Sequence, residues 1–185
     1  TWSVDGNVTL EATAGDIFVG WTQNHLNNLT AHADGNIQLV NQDDLVVHSA
    51  VSDIGDLIEL SSGDGTLTTD GAVSAPDGSV MLTGVTGLFL GADVYALGDV
   101  WLTSDDVIRQ TAGRIAGAGL ALNADGMVTL EGANLLDAVA GTADGGLSLV
   151  NAQSLEIGTV DWVTELTSIN GSLAVQAQGA GSDLT

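Results

Sequence analysis

The sequence predicts an all-β protein, a parallel β-helix of about nine coils of roughly 20 residues each stacked into a rod. Three observations lead there. Short runs that alternate apolar and polar residues recur along the whole chain, most of them preceded by Asp-Gly, Gly-Asp or Asn-Gly. Two long stretches return at a distance: "DGNVTLEA" (5–12) as "DGMVTLEG" (125–132), and "ADGNIQLVNQDDLVV" (33–47) as "ADGGLSLVNAQSLEI" (143–157). Aromatic residues make up only 4% of the chain while glycine occurs 25 times. A β-sandwich also spaces its strands closely, but its core leans on aromatics; small residues and many tight turns suit a narrow tube.

In chain order the strong strand candidates are "NVTLEA" (7–12), "NIQLVN" (36–41), "LIELSS" (57–62), "SVMLTG" (79–84), "DVWLTS" (99–104), "MVTLEG" (127–132), "LSLVNA" (147–152) and "SLAVQA" (172–177). Each is rich in Val, Leu, Ile and Thr and has a period of two, so each buries one face. The glycine dipeptides between them supply the positive-φ positions of tight turns. Weaker candidates, "DIFVG", "LVVHS", "LFLGA" and "SLEIGTV", fill the gaps, and no stretch shows the 3.6-residue periodicity of an amphipathic helix. The offsets of the two repeats, about 120 and 110 residues, read as multiples of a coil near 20. The whole chain, 1–185, is therefore one solenoid segment, expected to belong to a longer repetitive protein or filament.

Charge narrows the partners. The net charge is −22, with 24 Asp and Glu against only Arg109 and Arg114. Binding to nucleic acid or to an anionic membrane is thereby disfavoured, and cations or basic surfaces are the natural partners. With 44% hydrophobic residues the chain is too apolar for an acidic disordered tail. Cysteine is absent, which rules out disulfides and thiolate metal sites, and no apolar run is long enough to span a membrane as a helix.

Residues 106–177 resemble the repeats of filamentous-haemagglutinin-like exoproteins. The matching pattern runs through Ile108, Gln110, Gly113, Ile115, Leu120, Leu122, Gly126, Val128, Leu130, Gly132, Ala133 and Asn134, then through "LSLVNAQSLEIGTV" and "NGSLAV". The N-terminal half shares it more loosely. The resemblance implies a right-handed parallel β-helix, export by two-partner secretion, an extracellular or cell-surface location on a bacterium, and a stalk-like role in adhesion. Its implied partners are flanking solenoid repeats, identical copies end to end, and glycans or proteins of a host or neighbouring cell. The chain departs from such repeats in lacking their secretion domain and in carrying Trp21, Trp101 and Trp162. Core or turn packing is the expected use of most of these tryptophans, with lateral contact as the alternative.

β-Helices also carry polysaccharide hydrolases and lyases, which need carboxylates about 5–10 Å apart or a basic group near an acidic sugar. "QDDL" (42–45) and "SDDV" (104–107) offer Asp43, Asp44, Asp105 and Asp106, but the accompanying Gly-His-Gly and Arg-Ile-Lys signatures of pectin-degrading β-helices do not occur. The expectation is a protein that is not an enzyme, with solvated Asp turns. His25, His32 and His48 could stack on neighbouring coils around a metal, and are expected instead on the surface.

Calcium is the candidate ligand. Stacked coils bring equivalent turns within about 5 Å, where Asp over Asp repels by about 1 kcal/mol in water. Asp5, Asp34, Asp64, Asp77, Asp125 and Asp144, all in Asp-Gly turns, are the candidate ligands of weak Ca²⁺ sites. No cofactor is required. The expected function is that of a structural or adhesive extracellular module, with a self-assembling filament subunit as first alternative and a carbohydrate-active enzyme as second.

Overall fold

A computed structural model describes residues 3–20, 24–179 and 181–185. It is a parallel β-solenoid of about eight turns, with strands and tight turns and no helix among the described residues. The strands of the first part are β1 (Ser3–Ala12), β2 (Ile17–Val19), β3 (His25–Ala33), β4 (Ile37–Asn41), β5 (Leu45–Ser52), β6 (Leu57–Ser62), β7 (Thr66–Thr69) and β8 (Val73–Ala75). The middle holds β9 (Ser79–Gly84), β10 (Gly87–Leu90), β11 (Val94–Ala96), β12 (Val100–Ser104), β13 (Ile108–Gln110) and β14 (Ile115–Ala124). The chain closes with β15 (Met127–Ala143), β16 (Gly146–Asn151), β17 (Glu156–Ile157), β18 (Leu166–Ser168) and β19 (Leu173–Ala177).

These strands line three walls of a tube. The first wall stacks the earlier parts of β1 and β3 and the start of β5, then β7, β10, β13, the start of β15, β16 and β19. The second is made of the ends of β1, β3 and β5, then β8, β11, the start of β14 and the middle of β15. The third runs through β2, β4, β6, β9, β12, the end of β14, the end of β15, and finally β17 and β18. The paired strands of these walls are all parallel, so the strand backbone of each inner coil bonds to the coils on either side of it.

The register shows how the sequence builds this. Along the third wall Ile17, Ile37, Ile58, Val80, Val100, Leu120, Val139 and Ile157 stand directly over one another, one per coil. Val19, Leu39, Leu60, Leu82, Leu102 and Leu122 form the next column. From Ile37 to Val139 the first column is fully buried, and β-branched or leucine side chains of similar volume nest one upon the next. The third wall has eight such levels and the first wall nine strands, so the turns of the structure, about eight, agree closely with the nine coils the sequence predicts. Near the end, residues 158–165 leave the third wall and fold over its outside before β18 and β19 rejoin the stack.

The core is not purely aliphatic, as the alternation alone suggests. Asn41 ends β4 fully buried, accepting from Leu26 N–H (2.8 Å) and donating to Leu26 C=O (3.0 Å) and Asp43 C=O (2.9 Å). Asn151 ends β16 in the same way, accepting from Leu136 N–H (2.9 Å) and donating to Leu136 C=O (2.9 Å) and Gln153 C=O (3.1 Å). Each amide caps the backbone that the turn leaves open, which is why a buried polar side chain is tolerated there. Asn134, also buried, accepts from Ile115 N–H (2.7 Å) and from Gln110 Nε2 (2.9 Å). Asn41 and Asn151 occupy equivalent places in the longer of the two repeated stretches. They lie on different walls, the third and the first, so the offset between those stretches is not a whole number of coils. At another corner Gly113 has φ of +69°, and a Cβ there would lie 2.3 Å from the carbonyl carbon of Ala92. Only glycine fits.

All eight strong strand candidates fall in strands of the structure. The strands that the sequence does not announce include β8 and β11, three residues long and sustained by the coils on either side rather than by their own pattern.

Candidate lateral binding site

The outer side of the third wall carries the column Phe18, Gln38, Glu59, Met81, Trp101, Ala121 and Ala140. Large side chains continue as far as Trp101, and then two alanines leave a shelf. Onto that shelf folds the segment between β17 and β18. A two-residue reversal at Asp161 and Trp162 is closed by reciprocal backbone hydrogen bonds between Val160 and Val163 (2.9 and 3.0 Å), with Asp161 at φ of 55°. Aspartate is among the few residues that accept this conformation readily. Val160 is thereby buried against Ala121 and Ala140, with Ala138, Val163 and Trp101 around it, forming a small second core outside the tube. Gly119 completes the shelf: a Cβ there would come within 2.6 Å of Val160 Cγ1 and 2.7 Å of an Asp99 carboxylate oxygen.

The reversal places the Trp162 ring beside that of Trp101, centroids 6.2 Å apart and planes inclined by 14°. Trp162 remains 71% exposed, whereas Trp101 is half-buried and its indole N–H is covered without a hydrogen-bond partner. Beside the pair opens a shallow cavity of about 160 Å³ bounded by Met81, Trp101, Thr103, Asn123, Trp162 and Val163. Asp99 points outward two residues before Trp101. Its carboxyl group is held above the ordinary carboxylate range, first by burial and then by the charge of Asp161, against a hydrogen bond from the Gly119 backbone. Two like charges therefore sit close to one another, each near its tryptophan in sequence.

Neither Trp101 nor Trp162 packs inside the tube: Trp101 lies against the small outer core and Trp162 stands in the turn of the reversal, so the two meet on the outside, where core or turn packing and lateral contact coincide. The signal is present in "DVWLTS", since alternation with Val100 and Leu102 turned inward leaves Trp101 facing outward. That Trp162 meets it is not legible in the sequence, because nothing local says where a loop several coils further along the chain will fold. Trp21 lies outside the described residues.

Five of the six Asp-Gly aspartates are spread over two corners, whereas the Asp5–Gly6 pair, expected in a turn, lies within β1 at a register shift in its pairing with β3. Asp34 and Asp77 precede strands of the third wall, and Asp64, Asp125 and Asp144 precede strands of the first; the Asp5 side chain lies outside the described residues. The Asp64 carboxylate accepts from Gln42, and that of Asp144 from Asn170. Among the described residues no three His, Asp or Glu side chains converge as metal ligands would. The three histidines do not meet one another. Each pairs with an aspartate one coil on: His25 with Asp43 (2.6 Å), His32 with Asp53 (3.0 Å) and His48 with Asp70 (2.6 Å), all at the surface. Asp44 accepts from the N–H (2.7 Å) and hydroxyl (3.0 Å) of Thr66, so the Asp43–Asp44 pair is divided between two different partners.

No family model matches this chain, and comparison with curated proteins and with solved structures returns no significant match.

Proposed function

We propose that this chain is an architectural module, a rigid solenoid segment that extends or displays an adhesive protein at a bacterial surface. The observation that supports it is the unbroken stacking of the third wall: one apolar side chain per coil through eight levels, with parallel hydrogen bonding throughout. Such quasi-one-dimensional stacking gives stiffness and reach, and the fold by itself assigns no chemistry. The likeness of residues 106–177 to filamentous-haemagglutinin-like repeats supports the extracellular, adhesive part of the reading.

A second reading, a subunit that stacks end to end, draws support from the last coil. Leu173 continues the buried column of Leu147 but is 46% exposed, and Ile157 and Leu184 are uncovered beside it. An apolar edge of this kind pairs readily with more of the same tube or with a second copy. Small-angle X-ray scattering over a concentration series separates these readings. A stalk segment gives a rod of constant length, about 40 Å for eight coils at the usual strand spacing. A filament subunit lengthens with concentration, and a compact particle at every concentration sinks both readings. Antibody labelling of intact source cells tests the surface location, and labelling only after lysis would overturn it.

A further inference from the structure

Beyond its architectural role, the chain carries a recognition site on its flank: we propose that the Trp101–Trp162 platform, with Asp99 and Asp161 beside it, binds a guanidinium group presented as an arginine side chain by a basic protein partner. The argument begins with the exposed indole. A tryptophan left 71% exposed on a reversal whose two valines pack against the wall is a surface held out for contact. Indole faces attract cations better than any other side-chain surface, and of the two stacked rings that of Trp162 is the one left open to solvent.

Charge selects the ligand. Asp99 stands two residues before Trp101 with its carboxylate beside Gly119, and Asp161, which directly precedes Trp162, is near enough for its charge to act on Asp99; the cavity beside the rings is itself lined by neither carboxylate. They repel one another as they stand, and a cation between them would remove that cost. In a chain of net charge −22 with two arginines, an anionic ligand finds nothing to hold it. A neutral sugar could stack on the indoles and reach Thr103 and Asn123 but would leave the carboxylate pair uncompensated. Guanidinium is favoured over ammonium because it is planar, stacks on a ring and presents a fork of donors that matches a carboxylate. The Gly119, Ala121 and Ala140 shelf explains how the site is kept: larger residues there would push Val160, and Trp162 with it, off the wall.

The test is a ¹H–¹⁵N NMR titration of the labelled chain with the capped tripeptide Gly-Arg-Gly, following the tryptophan indole N–H signals, with the citrulline analogue as the neutral counterpart of the same shape. The arginine peptide is expected to shift the signals of Trp101 and Trp162 saturably, and the citrulline peptide to bind at least about tenfold more weakly. Trp162→Ala should abolish saturation at Trp101, and Asp161→Asn should weaken binding about fivefold or more. Glu11→Gln, which removes one exposed charge from β1 several coils away, should leave binding unchanged. Equal binding of citrulline, undiminished binding by Trp162→Ala, or equal losses in Asp161→Asn and Glu11→Gln would each overturn the proposal, the last by showing attraction to net charge alone. Saturation by maltotriose without saturation by the arginine peptide would replace it with a neutral sugar site. Dispersed spectra report the fold of each variant, and Asp161→Asn, which changes no packing atom, keeps the test decisive if Trp162→Ala unfolds.

Discussion

Each strand of the third wall has two sides, and their sequences obey different rules. Inward, Ile37, Ile58, Val80, Val100, Leu120 and Val139 repeat one kind of residue coil after coil; outward, Gln38, Glu59, Met81, Trp101, Ala121 and Ala140 share no chemistry at all. The inner side is constrained by the coils on both sides of every residue, because a change of volume at one level leaves a void or an overlap at the next. As far as Trp101 the outer side meets solvent and is free to vary, whereas Ala121 and Ala140 are covered by the segment that folds onto them. Where it departs from ordinary surface, with a tryptophan followed by alanines, something beyond stacking is being built. The contrast separates what holds the rod together from what the rod can offer to a partner.

The largest break in this contrast comes from within. Leu60 is fully buried between Leu39 and Leu82, so Leu60→Ala should lower the stability by about 2–5 kcal/mol, read as a fall in the urea midpoint. An outward substitution one residue away, Glu59→Ala, should move it by no more than about 0.5 kcal/mol. Equal effects would mean that the two sides are not distinct in energy.

A finer cut compares the two buried asparagines. Asn41 and Asn151 make the same set of hydrogen bonds on different walls, and replacing either by alanine strands the N–H and C=O of the leucine it serves, at about 1–3 kcal/mol. Asn41→Ala and Asn151→Ala should therefore cost similar amounts by denaturant titration. A large difference would show that the wall, rather than the corner, sets the value of the residue.

This equivalence marks what is legible in the sequence. Alternation exposes the strands and the inward faces, since a period of two is a local property. The phrase "LVN" is visible as a repeat, yet its meaning as a corner amide is not, because its partners Leu26 and Leu136 come earlier in the chain and reach it only through the closure of the coil. The spacing of the two longer stretches reads as whole coils, although the corner unit can be used on any wall. The lateral site is half legible. Trp101 is placed outward by its own strand, whereas the loop that brings Asp161 and Trp162 to it answers to an alanine and glycine shelf that no single strand contains.

The smallest expected effect lies on the outer side and has a sign that can be worked out beforehand. Burial and the neighbouring Asp161 raise the folded-state pKa of Asp99, so the native chain holds that proton more tightly than the unfolded chain does. Its contribution is complete below the ordinary carboxylate pKa, near 4, and is lost as pH rises through the higher folded value. At neutral pH the ionised Asp99 thus weakens the fold. An asparagine in its place would retain an oxygen able to accept from the Gly119 backbone while removing the charge. Asp99→Asn should therefore be more stable than the parent at pH 7 and indistinguishable from it below about pH 4, in paired urea titrations at the two pH values. A variant less stable at pH 7 would mean that the carboxylate is held by an attraction stronger than the burial and repulsion that now raise it. If the arginine site proposed above is present, saturating Gly-Arg-Gly should narrow the difference between variant and parent at pH 7.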